Sequence, residues 1–582
     1  MEKAWSRKIL VPPSNAPMRM VGKVSKKRLN SDYRLKMRLW AFAAALTLAS
    51  CFMFGDCAFD FPDDPYDTPA LWPWVNHGGG IGLVNQRVAL QEVKINKTSV
   101  SKLSFSWEFI TGYDVTATPS IAQGVVYFPD WGGSVYAVEQ ATGHLIWEKN
   151  LTQLTSGVLA FVKTNVSIFI PQVMISRSTP TVAGDLLVVT LYGPAGVLAL
   201  NRSTGDLVWA KQLSSHPYAV MTMSGTAFEG AYYIGTSSLE NGIVGIVCCT
   251  FQGAFIKLDL KTGDIMWKVP MLPDNRGQPG HYAGASVWGS SPSIDVDRRL
   301  VFIATGNVYT TPPAVDACEQ KYRNQTNPPF PDHCLPVDDH EESILAIALD
   351  DGTVSWSKHL GGYDTFNYEC SGVPRPTNCP AVIGPDFDFA ECPMLLRIHA
   401  HDRSWRDILV TGQKSGFIWA LDRYTGELLW VTVAGPGGYI GGSAWGMTTD
   451  GERMFTNIIN NLGKNFTLLP SNVVTTSAGW VAMNASTGEI LWSTANPWMS
   501  TNNAPLTHAN GVVFGGSTAP GHVVALDAIT GKVLWTYATP GDLYGGVSIT
   551  DGCVFVPVGV SLIGENNHLN HTHGKSVVSL CI

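Results

Sequence analysis

Three histidines, His568, His571 and His573, lie close together near the C-terminus. Their spacing could hold a metal ion, although a solvated loop explains them more simply. Nine cysteines fall after residue 60: Cys248, Cys249, Cys318, Cys334, Cys370, Cys379, Cys392, Cys553 and Cys581. Nine is odd, so at least one is free or bridged to another molecule. The chain has no Gly-x-Ser-x-Gly, no phosphate loop and no Gly-x-Gly-x-x-Gly, which argues against esterase, nucleotide and NAD chemistry. The glycine-rich stretch at 435–442 opens no helix and reads as close backbone packing.

The elements that must position any site are repeated. YAVEQATGHLIW (136–147) returns as LALNRSTGDLVW (198–209), IKLDLKTGDIMW (256–267), LAIALDDGTVSW (345–356), WALDRYTGELLW (419–430), VAMNASTGEILW (481–492) and VALDAITGKVLW (524–535). An alternating strand enters a turn where Asp or Asn and then Gly accept unusual backbone angles, and a second strand presents a Trp. Each copy follows another strand ending in small residues, such as GVVYFPD (124–130). Units of about four strands repeated radially make a propeller, with a Trp in each seam. These Gly and Trp residues are structural.

Trp107 precedes Trp147 by 40 residues and reads as a final strand without its own hairpin, while KSVVSLCI (575–582) reads as a third strand with no Trp after it. Joining the two ends gives an all-β, eight-bladed propeller over 103–582, preceded by an extension at 59–102. Cys553 and Cys581 then fall on consecutive strands of the closing blade and can bridge. Cys318 and Cys334 share one long loop and are the next pair. Successive Trp spacings of 40, 62, 58, 89, 74, 62 and 43 place the insertions on one rim, at 268–292, 307–341, 357–393 and 431–446. Long loops on a rigid scaffold are where function is expected.

The whole chain of 582 residues is 15% charged, with 58 Gly, 35 Pro and 19 Trp, which suits a long β protein with tight turns. Residues 1–38 carry eleven Lys or Arg and two acids, whereas the remainder carries 28 basic and 45 acidic residues. An acidic body argues against a nucleic-acid partner. The basic stretch runs into Leu39–Gly55, seventeen residues without a charge. Residues 39–58 therefore read as either a signal peptide or a single-pass anchor, with 1–38 cytosolic and the rest translocated. Sequons at Asn96, Asn150, Asn165, Asn201, Asn324, Asn465, Asn484 and Asn570 fit a secretory route, secreted or membrane-anchored.

The TG-x-x-x-W hairpin resembles the tryptophan-docking repeat of quinoproteins, the dehydrogenases that use pyrroloquinoline quinone (PQQ). Within that superfamily the chain is most similar to the polyvinyl-alcohol dehydrogenase-like branch. The stretches that carry this are CCTFQGAFIKLD (248–259), VWGSSPSID (287–295), IATGNVY (303–309), GPDFDFAECPMLL (384–396), QKSGFIWALDR (413–423) and AGPGGYIGGSAWG (434–446).

The resemblance implies PQQ at the channel mouth beside one Ca²⁺. Trp288 matches the indole under the quinone. Glu240, in TSSLE, and Asn307, in TGN, match calcium ligands, and carboxylate and amide oxygens suit that ion. Arg177, Thr222 and Ser238 match groups that hold the cofactor's carboxylates and carbonyls, and Lys414 matches the cation beside the quinone oxygens. Asp388 matches the catalytic base and a third metal ligand, with Asp386 and Asp364 as rivals. Ala390 stands where lanthanide-using relatives carry an Asp, which favours calcium. The family usually has adjacent cysteines in the loop holding the Arg; here that loop is QVMISRS (172–178), and the pair Cys248–Cys249 follows Glu240 instead. DVTATP (114–119) stands where the family has a carboxylate-binding Glu. No Cys-x-x-Cys-His occurs, so electrons would pass to an external acceptor.

Two functions follow. One is a PQQ- and calcium-dependent dehydrogenase of a secondary or polymeric alcohol. The other is a non-catalytic propeller acting as an extracellular binding or scaffolding module, since propellers host unrelated roles.

Overall fold

In each repeat the alternating half becomes the third strand of a sheet and the Trp-bearing half the fourth. Ser134–Glu139 pairs antiparallel with Leu145–Asn150, and the same pairing recurs in every copy. The computed structural model describes residues 73–80, 82–159, 173–243, 248–322, 333–371, 379–399, 404–560 and 571–582. Pro65–Ile582 is one compact unit. Residues 1–64, which include the 39–58 segment, lie outside the described residues, as do His568 and the sequons Asn165, Asn324 and Asn570.

Eight four-stranded antiparallel sheets make up this unit, as expected. The first blade runs from Ser120–Ala122 to Leu145–Asn150, and six more follow in chain order. The eighth is assembled from both ends, with Ser104–Ile110 pairing Ser576–Cys581, which pairs Cys553–Val558.

One seam shows why the repeat has its sequence. Asp259 Oδ1 accepts the backbone N–H groups of Lys261 (2.9 Å) and Thr262 (2.8 Å), which closes the turn. Gly263 follows at φ 75°, a conformation that favours glycine. A Cβ there would lie 2.5 Å from the Trp209 ring of the preceding blade. The Trp209 Nε1–H donates to Leu260 O at 2.9 Å, so the indole lies on the neighbouring turn and is hydrogen-bonded to it. Asn201 and Asn484 take the same turn position as Asp259, each accepting two backbone N–H groups. The turn alone therefore accounts for those two sequons.

Blade seven has no such turn to dock on, because Ser576–Cys581 and Ser104–Ile110 of blade eight are not joined by a hairpin. The short 3₁₀ turn Val100–Lys102 packs against its fourth strand, Val533–Ala538, instead. Cys553 and Cys581 are registered opposite one another and disulfide-bonded. Cys318–Cys334, Cys370–Cys379 and Cys248–Cys249 are also bonded, and Cys392 is buried and free.

A strap runs through the channel before the first blade. Trp74 exchanges backbone hydrogen bonds with Ile121 of blade one, Val75 O accepts from Val182 of blade two, and Leu83 O and Val84 O accept from Ile294 and Leu395 of blades four and five. Asn76 reaches Gly225 beside blade three. Arg87 O accepts from Thr448 and His508 of blades six and seven, and its guanidinium donates to Val547 O beside blade eight. Residues 74–89 thus touch the inner strand, or the residue next to it, of every blade.

On the insertion rim, Ala283–Gly284 pairs with Val308–Thr310, stitching the 268–292 and 307–341 loops together. The latter also carries the helix Pro313–Tyr322. His571 and His573 pair with Asp542 (2.7 Å) and Asp114 (2.8 Å) rather than with each other, so they fasten the closing blade's last loop.

The Cys553–Cys581 bond ties the two-ended blade. Replacing both cysteines by Ser should cost about 3 kcal/mol and lower the urea midpoint under non-reducing conditions. An unchanged midpoint would show that strand pairing alone keeps the ring closed.

Candidate active site

Asp388 approaches the channel just before the first strand of blade five, Met394–His399. Its Oδ1 accepts the Asn307 N–H at 2.7 Å, and its Oδ2 accepts from Lys414 Nζ at 2.6 Å. The Lys414 N–H in turn donates to the Asp388 carbonyl at 3.0 Å. This close approach explains TGN: a Cβ on Gly306 would sit 2.2 Å from Asp388 Oδ1. Trp-Gly has a similar reason, since a Cβ on Gly289 would sit 2.0 Å from Ala390 O.

Lys414 also donates to Asp386 Oδ2 at 3.1 Å and lies 5.3 Å above the Trp288 ring centre. Burial opposes the lysine's charge, but Asp386 and Asp388 more than offset that and hold its pKa above the ordinary value. Asp386 sits in the left-handed region at φ 62° with Oδ1 buried and unpartnered; burial drives its pKa well up, against the pull of Lys414. Asp364 is pushed up to about 6 by burial, which the Phe387 N–H opposes and the Asp388 charge reinforces. Of the three aspartates weighed as base, Asp386 and Asp388 touch the lysine, and Asp364 instead accepts the Asp386 and Phe387 N–H groups.

Glu240 lies in a 3₁₀ turn after Ser238, whose Oγ accepts the Glu240 N–H at 3.0 Å. Its buried carboxylate accepts the N–H groups of Thr250 (3.0 Å) and Phe251 (2.8 Å), with His216 Nε2 at 3.5 Å. The Cys248–Cys249 bond sits against this turn, and Cys249 Sγ accepts from Asn367 Nδ2 at 3.6 Å. Tyr309 joins the two groups. Its hydroxyl is 2.8 Å from Ser286 Oγ and donates to Ser238 O at 3.4 Å. Burial raises its pKa, and the Asp388, Glu240 and Asp386 charges add to the shift.

Arg177 and Thr222 line a polar pocket on the channel axis together with His77, Ser178, Thr179, Ser224, Ser290 and Trp445, and no carboxylate lines it. Thr222 Oγ1 donates to Trp288 O at 2.9 Å. Arg177 lies 5.0 Å over the Trp445 ring, and Trp445 meets Trp288 edge-on at 5.1 Å. Ser178 Oγ, Thr179 Oγ1 and Trp445 Nε1 are buried with no hydrogen-bond partner in the protein. Leaving such groups unmade costs about 1–3 kcal/mol each, and an anionic ligand rich in acceptors would satisfy them. The donor set therefore fits PQQ.

The protein-family model described as "outer membrane protein assembly factor BamB" (PQQ_2) matches residues 93–358 and 477–562, well over half of the chain. The chain belongs to this PQQ_2 family. A polyvinylalcohol dehydrogenase of Pseudomonas sp. is 27% identical over 79% of this chain and 66% of its own length. Another, from Sphingopyxis sp. strain 113P3, is 26% identical over 69% of this chain and 56% of its own. The chain thus spans about two thirds or less of these relatives. A solved quinohemoprotein alcohol dehydrogenase of Pseudomonas putida superposes with a TM-score of 0.65 at 17% identity, covering 89% of this chain and 81% of that one. The resemblance to quinoproteins of the polyvinyl-alcohol branch is borne out.

Within this PQQ_2 propeller, contacts join Asp388, Lys414, Asn307, Trp288 and Thr222 directly. Arg177 joins through Trp445; Glu240 and Ser238 form a second group, and Tyr309, bonded to Ser238 O, feels the charges of both groups. Sequence reasoning did not single out Tyr309, Trp445 or His77. The first two stand inside stretches that carried the resemblance, IATGNVY and AGPGGYIGGSAWG, whereas His77 has no local signature.

Two measurements test this geometry. Gly306→Ala should push Asp388 off Lys414 and cost activity more than stability, read as a drop in kcat with little change in melting temperature. The buried Glu391, which accepts the Gly412 N–H at 2.8 Å, is pushed up to about 7 by burial. A raised folded-state pKa means its stabilising protonated form is complete below its ordinary value of 4.5 and lost as pH rises through about 7. The stability of the native chain relative to Glu391→Gln should therefore fall between those pH values, and a flat difference would contradict the assignment.

Proposed function

We propose that this chain is a PQQ-dependent dehydrogenase of a secondary or polymeric alcohol, with Ca²⁺ beside the cofactor and an external electron acceptor. The observation that carries the reading is the Lys414–Asp388 pair beside the half-buried ring of Trp288 and a pocket of unsatisfied donors. Trp288 would take the cofactor ring on its face. Arg177, Thr222 and Ser238 would hold its carboxylates and carbonyls, with the Cys248–Cys249 bond bordering the Glu240 side. When bound, PQQ supplies an electrophilic quinone carbon that accepts hydride.

Ca²⁺ would draw on Glu240 and Asn307, hard oxygen donors of the kind that ion takes. Among the described residues no group of three His, Cys, Asp or Glu is arranged to hold a metal, so amide and cofactor oxygens would complete the shell. Asp388, expected both as base and as ligand, has both oxygens engaged by Asn307 and Lys414. Either role would draw one of those oxygens away from its partner.

The chain's own part in the reaction is proton handling and charge. Asp388 receives the hydroxyl proton of the alcohol. Lys414 also donates to Asp386 at 3.1 Å, so neutralising Asp388 leaves the buried ammonium hydrogen-bonded to a second acidic group. The fixed lysine charge also stabilises negative charge developing on oxygens beside Trp288. The basic flank, the uncharged Leu39–Gly55 stretch and the remaining sequons support work in the secretory lumen or outside the cell, free or anchored. No helix among the described residues is long and apolar enough to cross a membrane.

Incubating the purified chain with PQQ and Ca²⁺ and recording the quinone absorbance tests the reading. Asp388→Asn should lower kcat by about 100-fold or more and leave PQQ uptake within a few-fold of the native chain. Failure of the native chain to take up PQQ would transfer the assignment to a binding or scaffolding propeller.

A further inference from the structure

Of the strap residues, His77 lines the candidate pocket itself. His77 Nε2 lies 2.6 Å from Trp445 O. A carbonyl only accepts, so Nε2 carries the hydrogen and the ring acts as a donor. The ring is neutral: burial, then the neighbouring Arg87, hold its pKa down at about 3. Arg87 donates to the His77 carbonyl and to Leu506 O at 2.7 Å, which fixes the strap from below.

Trp445 needs such a tie. Its backbone is at φ 75°, a region bulky residues seldom occupy. Its N–H donates at 3.3 Å to Ala390 O, two residues beyond Asp388. Its ring carries Arg177 on one side and meets Trp288 edge-on. Holding Trp445 therefore holds the two residues offered to the cofactor, Arg177 and Trp288.

We propose that His77 is a positioning residue of the site, acting from the strap through the Trp445 carbonyl to set the Arg177–Trp445–Trp288 geometry. The N-terminal strap is then part of the ligand-binding apparatus as well as a brace for the ring. This deepens the cofactor reading and rests on it for the binding readout alone.

The test uses the full chain and its variants His77→Ala, His77→Gln and Trp445→Phe. Edge-on indoles in contact give an exciton couplet in circular dichroism, and the native spectrum minus that of Trp445→Phe isolates, without any ligand, the contribution of Trp445, which meets Trp288 at 5.1 Å and Tyr544 at 6.2 Å. His77→Ala should lose that contribution, and His77→Gln, whose amide can still donate, should keep most of it. PQQ affinity should fall about tenfold in His77→Ala, the ratio that one buried hydrogen bond can supply, and recover in His77→Gln. An unchanged couplet in His77→Ala overturns the proposal. So does equal loss in both His77 variants together with an equal drop in melting temperature, which would mark a purely structural role. If the native chain takes up no PQQ, the cofactor reading fails by itself and the couplet still decides the role of His77.

Discussion

The seam between blades governs everything else in this molecule. An indole laid on the neighbouring turn has no room for a Cβ beneath it, and its N–H must find a carbonyl in that turn. The Trp209–Gly263 seam meets both demands at once, with the Trp209 hydrogen bond to Leu260. The same contact recurs between Trp147 and Gly205 and between Trp492 and Gly531. Each seam fixes how far one blade turns relative to the next. Because the ring must close, such constraints add up to a channel whose residues are placed to within side-chain reach. Asn307 and Asp388 belong to neighbouring blades yet meet at 2.7 Å, and only a rigid ring makes that spacing dependable.

Inside that frame the charge arrangement is expensive. Taking an ammonium and carboxylates out of water costs several kcal/mol per ion, and the cost is recovered only through tight pairing. Lys414 achieves this with two aspartates, at 2.6 and 3.1 Å. The excess carboxylate is then driven toward its neutral form by burial, as the raised pKa of Asp386 shows. Asp364, raised to about 6, extends the same acidic surroundings. A stable fold gains little from such a cluster, since packed apolar residues would serve it equally well. Its persistence beside the half-buried Trp288 ring is what a proton-accepting site requires.

The eight-fold part of this structure was legible in the sequence because one physical need recurs in every blade. Glycine four residues before tryptophan, in most copies with Asp or Asn ahead of it, leaves the same spacing each time. The two-ended closing blade and its Cys553–Cys581 bond followed from counting. Asp388, Lys414, Asn307, Glu240 and Trp288 were visible through short motifs, two of which owe their glycines to close approach at Gly306 and Gly289. The remainder left no pattern. His77 and Trp445 are 368 residues apart, and neither periodicity nor turn chemistry links them. Tyr309 reads as one more apolar strand residue until the fold sets its hydroxyl between Ser286 and Ser238. The second partner of Lys414 depends on a left-handed backbone at Asp386, which sequence does not announce.

These unpatterned residues have something in common. A ring of equivalent blades offers eight similar positions around its axis, and equivalent positions cannot form one asymmetric site. Chemistry has to arise where the repeat is broken. Glu240, Asn307, Asp388, Lys414 and Trp445 all fall outside the glycine–tryptophan hairpins, in connections that differ from blade to blade. The strap breaks the symmetry from the other direction: it meets all eight blades, but through unlike residues, and Arg87 alone serves three of them. Its His77 lies against the Trp445 carbonyl, and its Arg87 is stacked 5.4 Å over Trp74 while bonding toward blades seven and eight. The same segment that braces a nearly symmetric ring therefore also gives its axis a direction, and the candidate site lies where that direction meets the irregular rim.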